Sequence, residues 1–210
     1  TDSVEVYKTT HFAVYWLNTG VHAPVGRDQD QNGRPDYVDS AAFHLERGYK
    51  LLSDSLKYRK PQGQKTTLYT QRAVPDGLYP VEILDIAQAN PYFQGNRVYG
   101  QIFDSSESVD GKGGSLIWLE NDFLDGGKDS IRVVIRGVAY HNWVKEPFEG
   151  LKAAVAHELY HAFTYEYDWQ AKTSFHEMTA VWFESWFAPE TQNHWRYLPL
   201  FRDNLWRGVW

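Results

Sequence analysis

The chain of 210 residues carries a net charge of −6 and 42% hydrophobic residues, a balance that predicts one soluble globular domain with a sizeable core. It has no run near the roughly 18 apolar residues of a membrane span, and the absence of a basic stripe argues against nucleic-acid binding. It has no cysteine, which excludes disulfides and thiolate zinc sites.

The first part of the chain predicts a strand, a loop and a long helix. Residues 12–17 are apolar and aromatic, as in a strand, and residues 20–35 form a polar stretch with glycine and proline. Apolar residues then recur at helical spacing over 37–58, and Pro61 ends this helix.

The middle of the chain, from about residue 66 to residue 138, predicts β structure. Five segments are enriched in β-branched and aromatic residues, and clusters of Gly, Pro, Asp and Asn separate them. These predicted strands are 66–70, 81–86, 97–103, 116–120 and 131–138. The polar residues 105–114 predict a loop among them.

The last third predicts two consecutive helices. A buried helix runs from about Glu149 to Tyr165, and after a short break a second helix runs from Ser174 to Phe187, where Pro189 ends it. The Trp-rich tail to residue 210 gives no consistent periodicity.

The first of these helices contains the sequence His157-Glu158-Leu-Tyr-His161. Each helical residue advances about 100°, so the two imidazoles lie one turn apart on one face and the carboxylate lies beside them. Two neutral imidazoles can bind one zinc ion, while Glu158 serves as general base for a metal-activated water. The alternative is an ordinary helix with hydrogen-bonded histidines, but burying these three polar groups in so apolar a helix would be costly.

A catalytic zinc needs a third protein ligand, and Glu177 and Glu184 of the second helix are the candidates. If the two helices are antiparallel, the second regains the height of His161 near residue 178, which favours Glu177. Glu184 then becomes an acceptor for a ligand histidine, or remains the alternative ligand. A purely structural alternative for Glu177 is a capping box with Ser174.

Further candidate residues concern the reaction intermediate and the substrate. Tyr165 shares the helical arc of the ligands, and His194 and Tyr197 follow the second helix, so each could donate to an oxyanion. Packing or surface exposure explains any of these three equally well. Residues 116–119 could offer a strand edge to an extended peptide, with Trp118 as a substrate contact.

A second metal site is predicted in residues 28–39, which have the spacing of a twelve-residue calcium loop. Oxygen-bearing side chains occupy positions 1, 3, 5, 9 and 12, namely Asp28, Asp30, Asn32, Asp36 and Asp39. Gly33 occupies position 6, and Arg34 at position 7 would contribute its backbone carbonyl. The alternative, compatible with calcium binding, is a polar turn in which Asp39 or Ser40 caps the next helix.

Three stretches of the chain together resemble a known group of enzymes. These are Asn32-Gly-Arg-Pro-Asp-Tyr37, His157-Glu-Leu-Tyr-His-Ala162 and Glu177-x-x-Ala-x-Trp-x-Glu184, and Asn121-Asp-Phe123 also matches. The pattern resembles the gluzincin zinc metallopeptidases, and more narrowly a bacterial secreted metalloprotease family with an Asn-Gly-x-Pro-Asp-Tyr loop. His176 and Val181 depart from the thermolysin pattern, so its supporting hydrogen bonds cannot be transferred.

The resemblance implies a zinc endopeptidase with ligands His157, His161 and Glu177 and with Glu158 as base. It implies an α+β, zincin-like fold, with a mixed and mostly antiparallel sheet, a long N-terminal helix, the active-site helix and a Glu-bearing helix. We expect one catalytic domain over 1–210, with a β-rich part over 1–147 and a helical part over 148–210.

That β-rich part would carry the calcium loop and a helix over 37–59. We also expect secretion, since the resemblance implies it and millimolar extracellular calcium would fill the loop. Thr1 in place of Met suggests a processed or trimmed start. The expected cofactors are catalytic Zn²⁺ and structural Ca²⁺, and the expected partner is a protein or peptide substrate bound by a monomer. The alternatives are a zinc hydrolase of another amide or ester, or a calcium-dependent binding module with a degenerate metal site.

Overall fold

The computed structural model describes residues 3–93, 98–104, 114–123, 132–135, 138–141 and 146–191. These residues form an α+β structure with a mixed five-stranded sheet, a separate hairpin and four α-helices. The strands are β1 Val4–Lys8, β2 Phe12–Leu17, β3 Tyr79–Leu84, β4 Gly100–Asp104, β5 Ser115–Glu120, β6 Arg132–Ile135 and β7 Val138–His141. The helices are α1 Asp36–Lys50, α2 Ile86–Ala89, α3 Pro147–Asp168 and α4 Thr173–Phe187.

The five strands lie in the order β1-β2-β3-β5-β4, and among the described residues β6 pairs with β7 in a separate two-stranded sheet. Pairs β1–β2 and β4–β5 are antiparallel, whereas β2–β3 and β3–β5 are parallel. A mixed sheet is therefore confirmed, but half of its strand pairs are parallel, so the expectation of a mostly antiparallel sheet was wrong for this sheet. Strands β1 and β4 form its two edges.

The central strands are buried on both faces. Every residue of β2, β3 and β5 is buried. On one face Val14, Ile83 and Leu119 pack with α1 and α3 in the main core. On the other face Trp118 lies in a smaller cluster with Leu84, Leu116 and Ile86 of α2. Continuous apolar sequence in these strands is what a sheet covered on both faces requires.

The predicted strand over 66–70 is wrong. In this stretch the only ladder contact is an isolated bridge between Thr66 and Ala73. The backbone N–H groups of residues 68, 69 and 70 instead donate to the buried carboxylate of Glu82, at distances of 2.7–3.1 Å. These donors are therefore not available to a neighbouring strand. Two further differences are β1, which was not predicted, and the predicted strand 131–138, in which β6 covers residues 132–135 and a second strand, β7, begins at residue 138.

The helices agree with the sequence pattern to within a few residues. Helix α1 begins one residue before the predicted start and continues as a π-helical turn over Leu51–Ser55, so the helical segment ends before the predicted residue 58. Helix α3 extends to Asp168, one turn of helix or less beyond the predicted end. Helices α1 and α3 cross closely at Gly48, where an added Cβ would lie 2.7 Å from Leu159 Cδ2.

A short turn over residues 169–172 joins α3 to α4, and the two helices pack against each other. Helix α3 is buried along most of its length, between the sheet and α4. This arrangement sets the His-Glu-x-x-His stretch between α4 and the edge strand β4. Within the described part of the chain, no helix combines the length and apolar character needed to cross a membrane.

Candidate metal centre

Helices α3 and α4 bring three potential metal ligands together. The Nε2 atom of His157 lies 3.2 Å from Glu177 Oε2, and the Nε2 atom of His161 lies 3.5 Å from Glu177 Oε1. One ligand atom from each residue falls within a group whose members are all within 4.8 Å of one another. Two imidazoles and one carboxylate are a donor set that zinc accepts in catalytic sites.

The carboxylate of Glu177 is directed at the histidines and not at its own helix terminus. Helix α4 begins at Thr173 and has no side-chain cap, so the capping box with Ser174 does not form. Burial alone would raise the pKa of Glu177, but its contacts with His157 and His161 hold that pKa well below the usual value. The sequence argument that preferred Glu177 to Glu184 therefore agrees with the geometry.

Glu184 lies behind His157. Its Oε2 atom is 3.3 Å from His157 Nδ1, on the side of the ring opposite Glu177, and its side chain is only 2% exposed. Glu184 is outside the three-residue cluster. This position suits a buried carboxylate that orients an imidazole ligand and favours the Nδ1–H tautomer.

Glu158 lies beside these residues on α3, and its side chain packs against the edge strand β4. Its side chain is buried, and this burial raises the pKa of its carboxyl, although His157 and His161 act in the opposite direction. A Cβ added to Gly100 would lie 2.5 Å from Glu158 Cγ and 2.9 Å from Oε1. Gly100 therefore allows β4 to approach Glu158 more closely than any other residue could.

Sequence reasoning missed Gly100 as a site residue. A signal was available, because an isolated glycine inside a predicted strand often marks a close approach of the backbone to another group. What that group would be could be learned only from the fold, which places β4 beside α3.

The ring of His161 has two ring-bearing neighbours, Tyr165 and His176. The ring of Tyr165 lies one turn further along α3, with its centroid 6.0 Å from that of His161 and 5.1 Å from that of His176. Tyr165 is thus next to the ligand group, as the shared helical arc predicted. The buried atoms His161 Nδ1 and His176 Nε2 have no hydrogen-bond partner among the residues that are described.

The other predicted site residues do not join this group. His194 and Tyr197 lie outside the described residues. Trp118 is buried in β5, between β3 and β4, and its Nε1–H donates to Glu82 Oε2 at 2.7 Å. Strand β5 has no free edge and Trp118 has no exposed face, so their assignment to substrate binding was wrong.

Comparison of the chain with protein-family models, curated proteins and solved structures finds no match. The resemblance to gluzincin peptidases therefore stays a prediction, supported by the residues of this chain alone.

The acidic loop before α1 brings three of its predicted ligands together. Carboxylate oxygens of Asp28, Asp30 and Asp36 all lie within 4.8 Å of one another. Gly33 has a φ of 86°, which favours glycine at this sharp turn, as the calcium-loop pattern requires at position 6. The Asp28 carboxylate also accepts hydrogen bonds from the backbone N–H groups of Asn32 and Gly33.

Asp39 and Arg34, two other predicted calcium ligands, form contacts outside the three-carboxylate group. Asp39 accepts hydrogen bonds from Asn32 Nδ2 at 2.7 Å and from Arg34 Nε at 2.8 Å, and it is outside the three-carboxylate group. The guanidinium of Arg34 also lies 4.1 Å from the centre of the Tyr7 ring. Asp39 does not cap α1, because that helix has Pro35 at its N-cap position and no side-chain cap.

Proposed function

We propose that this protein is a zinc-dependent endopeptidase. The observation that carries the proposal is the convergence of His157, His161 and Glu177 on one point, with the buried Glu158 next to them. When bound, zinc would supply Lewis-acid polarisation of a substrate carbonyl and of a water molecule.

Each residue of the site has a separate proposed role. His157, His161 and Glu177 bind the metal, and Glu184 holds the His157 ring from behind. Glu158 takes a proton from the attacking water at a carboxylate oxygen and transfers it to the amine that leaves. The burial of its side chain against β4 limits contact with bulk water and restricts the direction of the carboxylate.

The position of β4 supports a peptide as the substrate. This strand forms an edge of the sheet and passes directly over Glu158 at Gly100. An extended peptide that adds to this edge would bring its backbone amides alongside the proposed base, with main-chain hydrogen bonds supplying affinity. A small amide or ester would make no use of a strand edge, and this favours peptide hydrolysis over the alternative hydrolase.

We propose further that the loop over 28–39 binds calcium through Asp28, Asp30 and Asp36. Three carboxylates within 4.8 Å repel one another unless a cation lies among them. The ion would fix this loop to the start of α1 and take no part in the reaction. Binding at the millimolar concentrations found outside cells fits a secreted enzyme.

The test compares the parent protein with Glu158→Gln and with Glu149→Gln. Both substitutions change a carboxylate to an amide on α3, but Glu149 lies in the first helical turn, away from the ligands. Cleavage of casein and of a peptide library would be measured together with zinc content. We expect stoichiometric zinc in all three proteins and loss of cleavage only in Glu158→Gln.

Other outcomes would reject the proposal in identifiable ways. Stoichiometric zinc with hydrolysis of small amides or esters but not of peptides would indicate the other class of zinc hydrolase. If the parent does not bind zinc, the proposal of a zinc enzyme is rejected. The calcium-dependent binding module is then the remaining alternative. Calcium binding is tested separately, by adding the ion and measuring the melting temperature. We expect a rise for the parent and a smaller rise for Asp30→Asn, which lacks one of the three carboxylates.

A further inference from the structure

One outer surface of the helical part is unusually aromatic. Helix α4 exposes four large apolar side chains along its length, and the end of α3 with the following turn exposes two more. They are Tyr167, Trp169, Phe175, Met178, Trp182 and Trp186, each about half exposed. We call this set the aromatic face. Exposed apolar groups concentrated in one patch are typical of an interaction site, whereas scattered ones are ordinary.

Ring contacts connect three members of this surface across the two helices. Trp186 stacks on Trp182, with centroids 6.1 Å apart and planes 22° apart. Trp182 contacts Tyr160, Tyr160 contacts Tyr58, and Tyr58 contacts Tyr167, at centroid distances of 5.8–6.2 Å. The aromatic face therefore extends across both helices and is supported from beneath by buried or half-buried tyrosines.

The aromatic face lies away from the proposed zinc ligands. On α4 the residues Phe175, Met178, Trp182 and Trp186 follow each other at spacings of three and four, so they share one side of the helix. Glu184 and the buried Phe183 lie on the side that packs against α3. A ligand on the aromatic face would thus leave the metal centre accessible.

A basic segment borders the aromatic face. Lys57, Arg59 and Lys60 are all exposed and flank Tyr58, which is part of the ring chain. The Arg59 guanidinium lies 4.9 Å from the centre of the Tyr167 ring, and its backbone N–H donates to the Tyr167 hydroxyl at 3.0 Å. Among the described residues, neither Lys57 nor Lys60 forms an ion pair. This cluster of three exposed cations occurs in a chain of net charge −6. In the described part of the chain, the one carboxylate in contact with residues 57–62 is that of Glu166, which accepts a hydrogen bond from the Gln62 backbone N–H at 2.8 Å.

We propose that the aromatic face and its basic border bind the surface of an anionic lipid membrane. Trp and Tyr are the side chains that favour the membrane–water interface, because their rings are apolar and their edges are polar. Lysine and arginine beside such a surface add attraction to anionic head groups. An apolar surface of this kind buries its rings at the depth of the head groups without crossing the bilayer.

The charge pattern favours a lipid surface over a second copy of this chain. In a symmetric dimer each copy would meet the same aromatic and basic surface, which offers the cations of Lys57, Arg59 and Lys60 no excess of opposite charge. Anionic head groups meet the same cations with favourable charge. The positive charge of the basic segment therefore favours an anionic membrane, and not a second copy of this chain, as the ligand of the aromatic face.

The test measures sedimentation of the full chain with vesicles of phosphatidylcholine, and with vesicles that also contain phosphatidylserine. Two double variants are compared with the parent: Trp182→Ser with Trp186→Ser, and Lys57→Glu with Lys60→Glu. The control is Phe43→Ser with Tyr92→Ser, which removes two exposed aromatic side chains elsewhere. Neither zinc nor peptide cleavage enters the measurement, so its result is independent of the proposed peptidase.

We expect the parent and the control to bind vesicles containing phosphatidylserine. The tryptophan variant should partition at least about tenfold more weakly, from the apolar area that it withdraws, and the lysine variant about fivefold or more per charge reversed. Equal binding to both kinds of vesicle, or binding to neither, would overturn the proposal. Concentration-dependent dimerisation that the tryptophan variant abolishes would also overturn it, in favour of a second copy.

Discussion

Replacing Gly100 with alanine tests whether the close approach of β4 to Glu158 matters for catalysis. The added Cβ would lie 2.5 Å from Glu158 Cγ and 3.0 Å from its carboxyl carbon, whereas ordinary carbon–carbon contacts are about 3.5–4.0 Å. The φ angle of Gly100 is not in the left-handed region, so alanine suits the backbone itself. Any loss of activity or stability in Gly100→Ala therefore arises from the contact between the added Cβ and Glu158.

Relief of this collision requires β4 or the Glu158 side chain to move by about 1 Å. A displacement of that size at a catalytic group lowers rate by about a hundredfold. Overpacking of a buried site costs about 1–3 kcal/mol of folding stability. The proposed zinc ligands are on α3 and α4, not on β4, so we expect zinc content to be unchanged.

The assay is kcat/KM for a cleaved peptide, with zinc content and urea unfolding measured on the same samples. The matched control is Gln101→Ala, the next residue of β4, which faces the other side of the strand and pairs with Trp118. We expect Gln101→Ala to retain most of the parent activity. A Gly100→Ala protein that is folded, zinc-loaded and as active as the parent would refute the view that β4 confines Glu158.

Three further predictions concern buried carboxylates. Glu82→Ala should lower the free energy of unfolding by at least about 3 kcal/mol, measured by urea titration, because it leaves the Trp118 indole N–H and three backbone N–H groups without an acceptor; an unchanged midpoint would contradict this. Burial raises the pKa of Glu120 to about 8, so the folded state holds a proton that the unfolded state releases between its ordinary pKa of 4.5 and 8. Stability should therefore fall as pH rises through that window, by up to about 5 kcal/mol, and Glu120→Gln should flatten the profile. Glu184→Ala should weaken zinc binding by about 10–100-fold in a competition assay with a chelator, because His157 loses its supporting acceptor; parental affinity would show that this contact does not tune the site.

The parts of the fold that the sequence predicted well are those with strong periodicity. Helices α1, α3 and α4 were located to within a few residues of their observed starts because apolar spacing and proline punctuation agree there. Strand β2 has its predicted bounds. The proximity of His157, His161 and Glu177 could be predicted because they lie on two adjacent helices, whose geometry is regular enough to be reasoned from residue numbers.

The parts that failed depend on contacts between distant segments. Residues 66–70 have strand-like composition, but the carboxylate of Glu82 takes their N–H groups. The error at Trp118 was avoidable, since an uninterrupted apolar run such as 116–119 indicates a strand covered on both faces and not an exposed edge. Gly100 and Glu158 meet only because α3 packs against the sheet, which no local pattern encodes.

The proposed ligands all come from residues 157–177, a single helical hairpin, whereas the position of Glu158 relative to Gly100 depends on the sheet. Contacts that are local in sequence form with little loss of chain entropy, and pairings between distant strands form more slowly. We therefore expect metal capture during folding to precede assembly of the β4 side of the cleft. A refolding chain would thus hold its ion before its cleft could accept a peptide, so ion uptake in a refolding experiment should precede recovery of cleavage.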